Sequence, residues 1–418
     1  MNQTSVLLFV AGATLSAGTA LAQNAKFDAL KAEAQADAAT RTSYLAGGAG
    51  YNNNAFNIND GTGNNSLNIG GTIAARANFS VRDDQSVGDQ EDFTWGFNMP
   101  FNRLRLWGNI WSKDLEYKIQ GSWSDTSGDS SFGLEDAWFR YNYENGFSMT
   151  MGQFKLPLIR EVLVDNEFQL AADRSVASAV FSQGYSQGIQ GTYTDEMWRA
   201  SVAVSDGLNT GGTDFNSGSE TDVGLTGRVD VLAMGNNMDR FNDETSWKSA
   251  ADNALLIGAA VHWETGGETG FTADVDTLVY TIDVSFEGQG WNVMGAFYGS
   301  HIDPAGGTDF DNFGGVLQGG IFFTDQVEAF ARWDAVFLDD SVFGGQDEDI
   351  HFATVGVNYY VSPESHAVKF TAQAGYCFND STPLFGGGGL VSDPTRYGFL
   401  GDTEDGEWNI LFQGIVMF

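Results

Sequence analysis

The chain has 418 residues, a formal net charge of −35 (20 Lys+Arg against 55 Asp+Glu), 42% apolar and 13% aromatic residues, 53 Gly, 6 Pro and one Cys. That acidity excludes a nucleic-acid partner, which needs basic surface to neutralise phosphates. One cysteine excludes a disulfide framework and a Cys-rich metal centre. The aromatic content is too high for a solvated coil. Helix-rich composition is missing beyond the first forty residues, which leaves an all-β protein.

The one long apolar run lies at Val6 to Ala22 and ends Ala20-Leu21-Ala22 before Gln23. A small-x-small ending after such a run reads as an export signal peptide over 1–22. Lys26 to Arg41 carries the one helical pattern, and Gly47 to Asn65 is rich in Gly and Asn. Residues 23–65 are therefore expected to be a short periplasmic helix and a linker.

From residue 67 the hydrophobic period falls to two. Leu67, Ile69, Ile73, Ala75, Ala77, Phe79 and Val81 alternate with Asn68, Thr72, Arg76, Asn78 and Ser80. Sixteen such segments follow one another, at about 67–81, 101–112, 115–123, 136–143, 147–154, 188–193, 199–205, 222–233, 253–263, 277–286, 290–302, 313–323, 327–337, 351–361, 367–378 and 408–418. A tilted strand crosses a bilayer in roughly 9–11 residues, and bacterial outer-membrane barrels have an even strand count. Connections after even-numbered segments are short (Ser112 to Asp114, Glu144 to Gly146, Glu287 to Gln289) and those after odd-numbered ones are long (82–100, 155–187, 379–407). Long loops at one end and tight turns at the other is the pattern of such barrels. The stretch 235–252 is too long for the short-turn end, so it is either an excursion there or a break in register. Together these features predict a transmembrane antiparallel β-barrel of about sixteen strands over 66–418.

The apolar faces carry no charge. The polar faces hold nine basic residues (Arg76, Arg103, Arg105, Lys118, Arg140, Arg199, Arg228, Arg332, Lys369) and seven acidic ones (Glu116, Asp136, Asp222, Asp230, Asp283, Glu328, Asp334). The inner wall is thus about +2 and the remainder about −37, carried by loops, turns and the N-terminal segment. The last strand ends on Phe418, expected as the closing residue that seals the last strand onto the first.

The string Gly152-Gln153-Phe154-Lys155-Leu156-Pro157 resembles the phosphate-selective porin O and P family, and supporting strings (FNRLRLWGNI, DLEYKIQGSW, LEDAWFRYNY, LAADRS, QGYSQGIQGTY) extend the resemblance over roughly 100–205. It implies a sixteen-stranded, homotrimeric porin of the bacterial outer membrane whose third external loop folds into the lumen. Lys155 matches the family's lysine in that string, Arg103 and Arg105 match its early arginines, and Phe418 matches its terminal aromatic. The family's phosphate-binding arginine ladder has no alignable counterpart here.

The stretch 155–187, with Lys155, Arg160, Glu161, Asp165, Glu167, Asp173 and Arg174, is the candidate constriction. Folded inward, its carboxylates would oppose a basic wall of Arg76, Arg103, Arg105, Lys118, Arg140 and Arg228, creating a transverse field. The plainer alternative is an external loop whose charges pair in water. Acid clusters at Asp83-Asp84, Asp339-Asp340 and Asp347-Glu348-Asp349 lack a calcium-loop pattern, and the four histidines lack ligand spacing, so no metal or cofactor is expected. No catalytic constellation is recognisable, so no enzyme is expected. The reading is a porin through which small hydrophilic solutes and ions diffuse, set in outer-membrane lipid, with a weak cation preference from its acidic vestibule. The competing reading is a surface structural or adhesion barrel that displays acidic loops and transports little.

Overall fold

The computed structural model describes residues 49–52, 55–83, 92–124, 132–250, 252–267, 274–343, 349–385 and 395–418. The signal peptide, the 26–41 helix, Asp84, Asp347 and Glu348 lie outside them. All described strands join one antiparallel sheet that closes on itself. In chain order they are a hairpin, β1 (Ala49–Asn52) and β2 (Ala55–Asn59), then β3 (Ser66–Val81), β4 (Phe93–Asn98), β5 (Asn102–Asn109), β6 (Leu115–Trp123), β7 (Gly133–Asn142), β8 (Phe147–Phe154), β9 (Ser186–Thr194) and β10 (Trp198–Ser205). They continue with β11 (Val223–Met234), β12 (Ala254–Thr265), β13 (Val275–Gly288), β14 (Trp291–Pro304), β15 (Phe310–Phe322), β16 (Val327–Phe337), β17 (Asp349–Tyr360), β18 (Val368–Cys377) and β19 (Trp408–Met417).

β4 and β5 form one barrel strand. Ile73 of β3 pairs with Asn102, and Arg76 pairs with Asn98. Met99-Pro100-Phe101 therefore spans two residues of β3, a bulge at the proline that cannot donate to the ladder. Counted this way the barrel has sixteen strands. β19 pairs back onto β3 from Trp408↔Val81 to Met417↔Thr72, and Phe418 extends the seam by exchanging backbone bonds of 2.7 and 3.0 Å with Gly71. A β-carbon on Gly71 would press on the Phe418 ring and on the Arg103 carbonyl.

The alternation seen in the sequence becomes an outside and an inside. Ile73, Leu104, Ile119, Val229, Val261, Ile282, Leu317, Val355 and Phe412 are exposed on the outer face, while Thr72, Arg76, Asn78, Gln120, Arg228, Asp283, Asp334 and Gln413 are buried within. A soluble sandwich would bury the first set. An exposed apolar belt around a polar interior is the arrangement for lipid outside.

The expected linker is in part a hairpin. β1 pairs with β2, and β2 pairs with β3 at Phe56↔Ile69 to Asn59↔Ser66, along the edge that β19 has already left. Without it that edge would be unpaired. Asp60 closes the following turn, its carboxylate accepting bonds from the Thr62 and Gly63 amides and from Asn65 Nδ2.

The 235–252 excursion is real and turns inward. Its 3-10 segment, Met238–Asn242, packs inside the barrel with Leu232, Ala254 and Leu256. From the opposite end the long connection after β8 also enters the lumen, with α1 (Arg160–Leu163), a 3-10 turn at Asn166–Phe168 and α2 (Val176–Val180). Ser175 caps α2 by accepting from the Ser178 amide. Leu158, Ile159, Val162, Val176 and Phe181 of this loop pack on Val279, Met294, Tyr298, Val316, Val336 and Phe352 of the inner wall. Each such side chain removed from water contributes about 1.5–3 kcal/mol. One side of the lumen is thereby a dry core, and what space remains lies along β5 to β11.

Candidate functional site

Three cavities line that open side. The one nearest the long loops, about 580 Å³, is bordered by Arg103, Glu135, Lys155, Arg174, Tyr185 and Arg396. Two face the short turns. One, about 620 Å³, is bordered by Lys118, Trp138, Arg140, Lys155, Asp165, Arg199 and Asp230. The other, about 510 Å³, is bordered by Arg105, Trp107, Glu116, Lys118, Asp165 and Phe418. Lys155 borders cavities of both ends, and Asp165 borders both lower ones. Their ion pair, 2.6 Å, therefore stands where the cavities meet. The Lys155 ammonium also lies 5.5 Å from the Tyr185 ring centre.

Lys155 follows β8 and lies outside the spanning strands. Burial pushes its ammonium down to about 8, against the opposing pull of Asp165. Burial also opposes ionisation of Asp165, but Lys155, Lys118, Arg105 and Arg103 together hold it well below the usual carboxylate range. Arg174 donates to the carbonyls of Glu161, Val162 and Val164. Among the described residues no carboxylate lies within ion-pair distance of it, and it borders the upper cavity.

Of the remaining candidates of the loop, Glu161, Glu167 and Asp173 line none of these cavities, while Arg160 borders the 620 Å³ one. Glu161 is fully buried, its carboxylate accepting from the Ser175 amide (2.5 Å) and hydroxyl (2.6 Å). Glu167 is buried between Arg103 (2.7 Å) and Arg105. Asp173 is buried between Arg76 (3.3 Å) and Arg396 (2.7 Å). Arg160 is buried and donates to the Phe241 carbonyl. On the wall, Arg76 reaches the Ala172 carbonyl and Arg228 the Leu158 carbonyl, so both act as fasteners for the loop. Arg105, Lys118 and Arg140 line the cavities, with Lys118 2.9 Å from Asp136 and Arg140 over the Trp138 ring at 4.7 Å. The expectation of separated charge rows across the lumen is thus corrected. Most loop carboxylates touch the wall arginines directly, because a buried charge without a contacting partner is too costly. Of the loop set, Lys155, Arg160, Asp165 and Arg174 border the open space.

Glu135 escapes the alternation. Gln120 pairs with Asp136 but Gly121 with Leu134, so a bulge turns both Glu135 and Asp136 inward. Glu135 then binds Arg103 at 2.7 Å and Gln120. The signal was present in the sequence: strict alternation would have placed one carboxylate of the Glu-Asp pair in lipid. Arg396 and Tyr185, on long connections, carried no such signal. Asp222, counted on the wall, lies outside β11 and is exposed.

A protein-family model described as phosphate-selective porin O and P matches residues 67–380. Among solved structures the chain is similar to an anion-selective porin from Comamonas acidovorans, with 11% identity and a TM-score of 0.59 over 84% of this chain and 99% of that one. It is also similar to OmpT of Vibrio cholerae in a trimer form, with 13% identity and a TM-score of 0.54 over 84% and 99%. Salmonella typhi OmpF in complex with daunomycin shares 11% identity and a TM-score of 0.53 over 85% and 99%. No match is found among curated proteins. At such identities the structural likenesses speak for the fold, and the family model for the chain itself. With sixteen strands closed around a polar lumen and that match over most of its length, the chain belongs to the phosphate-selective porin O and P family, as a passive-diffusion channel of the bacterial outer membrane.

Proposed function

We propose that the permeation path runs along β5 to β11 through a throat at Lys155, Asp165 and Arg174, and that it favours anions. The observation that carries this is the lining. The upper cavity is bordered by Arg103, Lys155, Arg174 and Arg396 against Glu135 alone. The 620 Å³ lower cavity is bordered by six basic and three acidic side chains. The acidity of the chain suggested the opposite sign, but many of its carboxylates are spent in buried contacts such as Arg103–Glu167 and Arg76–Asp173. Selectivity follows the charges that line the narrowest water path, not the net charge.

Reversal potentials in a KCl gradient across planar bilayers test the sign. The expected potential is anion-selective, and Arg174→Met should move it toward neutrality. A cation-selective potential from the native channel would overturn the reading. We further propose a homotrimer embedded in outer-membrane lipid, supported by the exposed apolar belt and by the trimer form of the Vibrio cholerae barrel. Insertion events that raise conductance in three equal increments are the expected signature.

A further inference from the structure

One connection at the short-turn end is out of proportion. β13 and β14 are joined by residues 289–290 alone, whereas β11 and β12 are joined by 235–253. Adjacent antiparallel strands need only two residues to reverse, so the extra length needs another reason. The turn enters the barrel and meets the constriction loop coming from the other end.

The two segments hold each other by hydrogen bonds that each engage a backbone group. The Leu170 amide donates to Glu244 Oε2 at 2.9 Å, and the Glu244 amide donates to the Phe168 carbonyl at 3.1 Å. The Arg160 guanidinium donates to the Phe241 carbonyl. The turn is itself fixed to the wall. Arg240 pairs with Glu287 at 2.8 Å, and Trp247 packs on Phe322 and Tyr360 with ring centres 5.3 and 4.9 Å apart. The stretch so gripped, 166–170, begins next to Asp165, and Phe168 borders both lower cavities.

We infer that Glu244 is a positioning residue for the throat: from the periplasmic side it holds the 166–170 stretch back against the wall and so sets how wide the path is at Asp165 and Phe168. The inference rests on the throat assigned above but concerns what fixes its width, not the sign of its selectivity. Glu244 is 8% exposed. Burial, then the nearby Glu161 carboxyl, push it up to about 7, while the Leu170 amide pulls the other way. The Leu170 amide needs only an acceptor oxygen at this position, and Gln carries one, so Gln should serve equally well.

The test uses the full chain folded into detergent and then bilayers, with heat-modifiable gel migration as the check of folding. Single-channel conductance and liposome swelling with sugars of rising mass are compared for the native protein, E244A and E244Q. E244A should raise conductance about twofold, since flux follows pore width, and should admit larger sugars. E244Q should match the native channel. A second variant removes the other partner: Leu170→Pro deletes the amide that Glu244 accepts from. The preceding Gln169 already has φ −69° and ψ 150°, which suits a following proline. It should reproduce E244A. Folded E244A or L170P with native conductance and native size limit would overturn the inference, as would E244Q behaving like E244A. A native protein that folds and conducts nothing would defeat the channel reading instead.

Discussion

Lys155 sits at the meeting of the cavities with a depressed ammonium pKa, and that gives the proposed throat a pH dependence of definite sign. Below about 8 the side chain is charged and opposes Asp165. As pH rises through that value the proton is lost, while Asp165 stays ionised, so the throat loses one positive charge. Anion preference measured by reversal potential should therefore fall between about pH 7 and about pH 9. Lys155→Met should show the lower preference at both pH values, with no step between them. A native channel whose reversal potential is flat across that range would contradict this account. At this scale the sequence was informative about which residues are charged and largely silent about which of them meet water. Lys155 was legible from its family string. Glu161, Glu167 and Asp173 looked equally exposed in the one-dimensional pattern, because burial of a loop carboxylate depends on partners far away in sequence, as Arg396 of another connection is from Asp173.

Among elements, the strands were the most legible because period two is imposed on each by the contrast between lipid and lumen. Departures came where a residue broke that period: Pro100, which divides a barrel strand, and the Glu135 bulge. The 49–59 hairpin was hidden by Gly and Asn, which read equally well as a linker and as turn chemistry. The inner loop depends on a local device at Ser175, which both caps α2 and satisfies the buried Glu161. Ser175→Ala removes the cap and leaves Glu161 Oε2 without its hydroxyl donor. We expect about 2 kcal/mol of destabilisation, read as a shift in the guanidinium midpoint of refolded protein. A midpoint within error of the native one would show that the loop tolerates an open cap.

For the whole molecule, the sixteen-strand closure, the two unequal ends and the polar interior could all be anticipated, since each is a property summed over many segments. The filling of one side could not. Its apolar residues lie in a loop without periodicity, and their wall partners, such as Val316 and Phe352, interrupt the polar face one at a time. Loops of outer-membrane barrels are ordinarily where exchange with solvent is fastest. Here the amides of Leu170, Ala172 and Ala177 are buried and bonded to Glu244, Gln373 and Asp334. Hydrogen exchange by mass spectrometry should find residues 169–178 protected to the degree of β13 and β14. Exchange there as fast as at the exposed 214–219 stretch would mean the loop detaches readily. The packed side also has a bearing on how such channels diversify. Strand number determines the circumference of the hull, yet the bore is whatever the interior ballast leaves vacant. Substitutions in that ballast can retune the sieve while the lipid-facing shell, and the machinery that recognises it, encounter an unaltered protein.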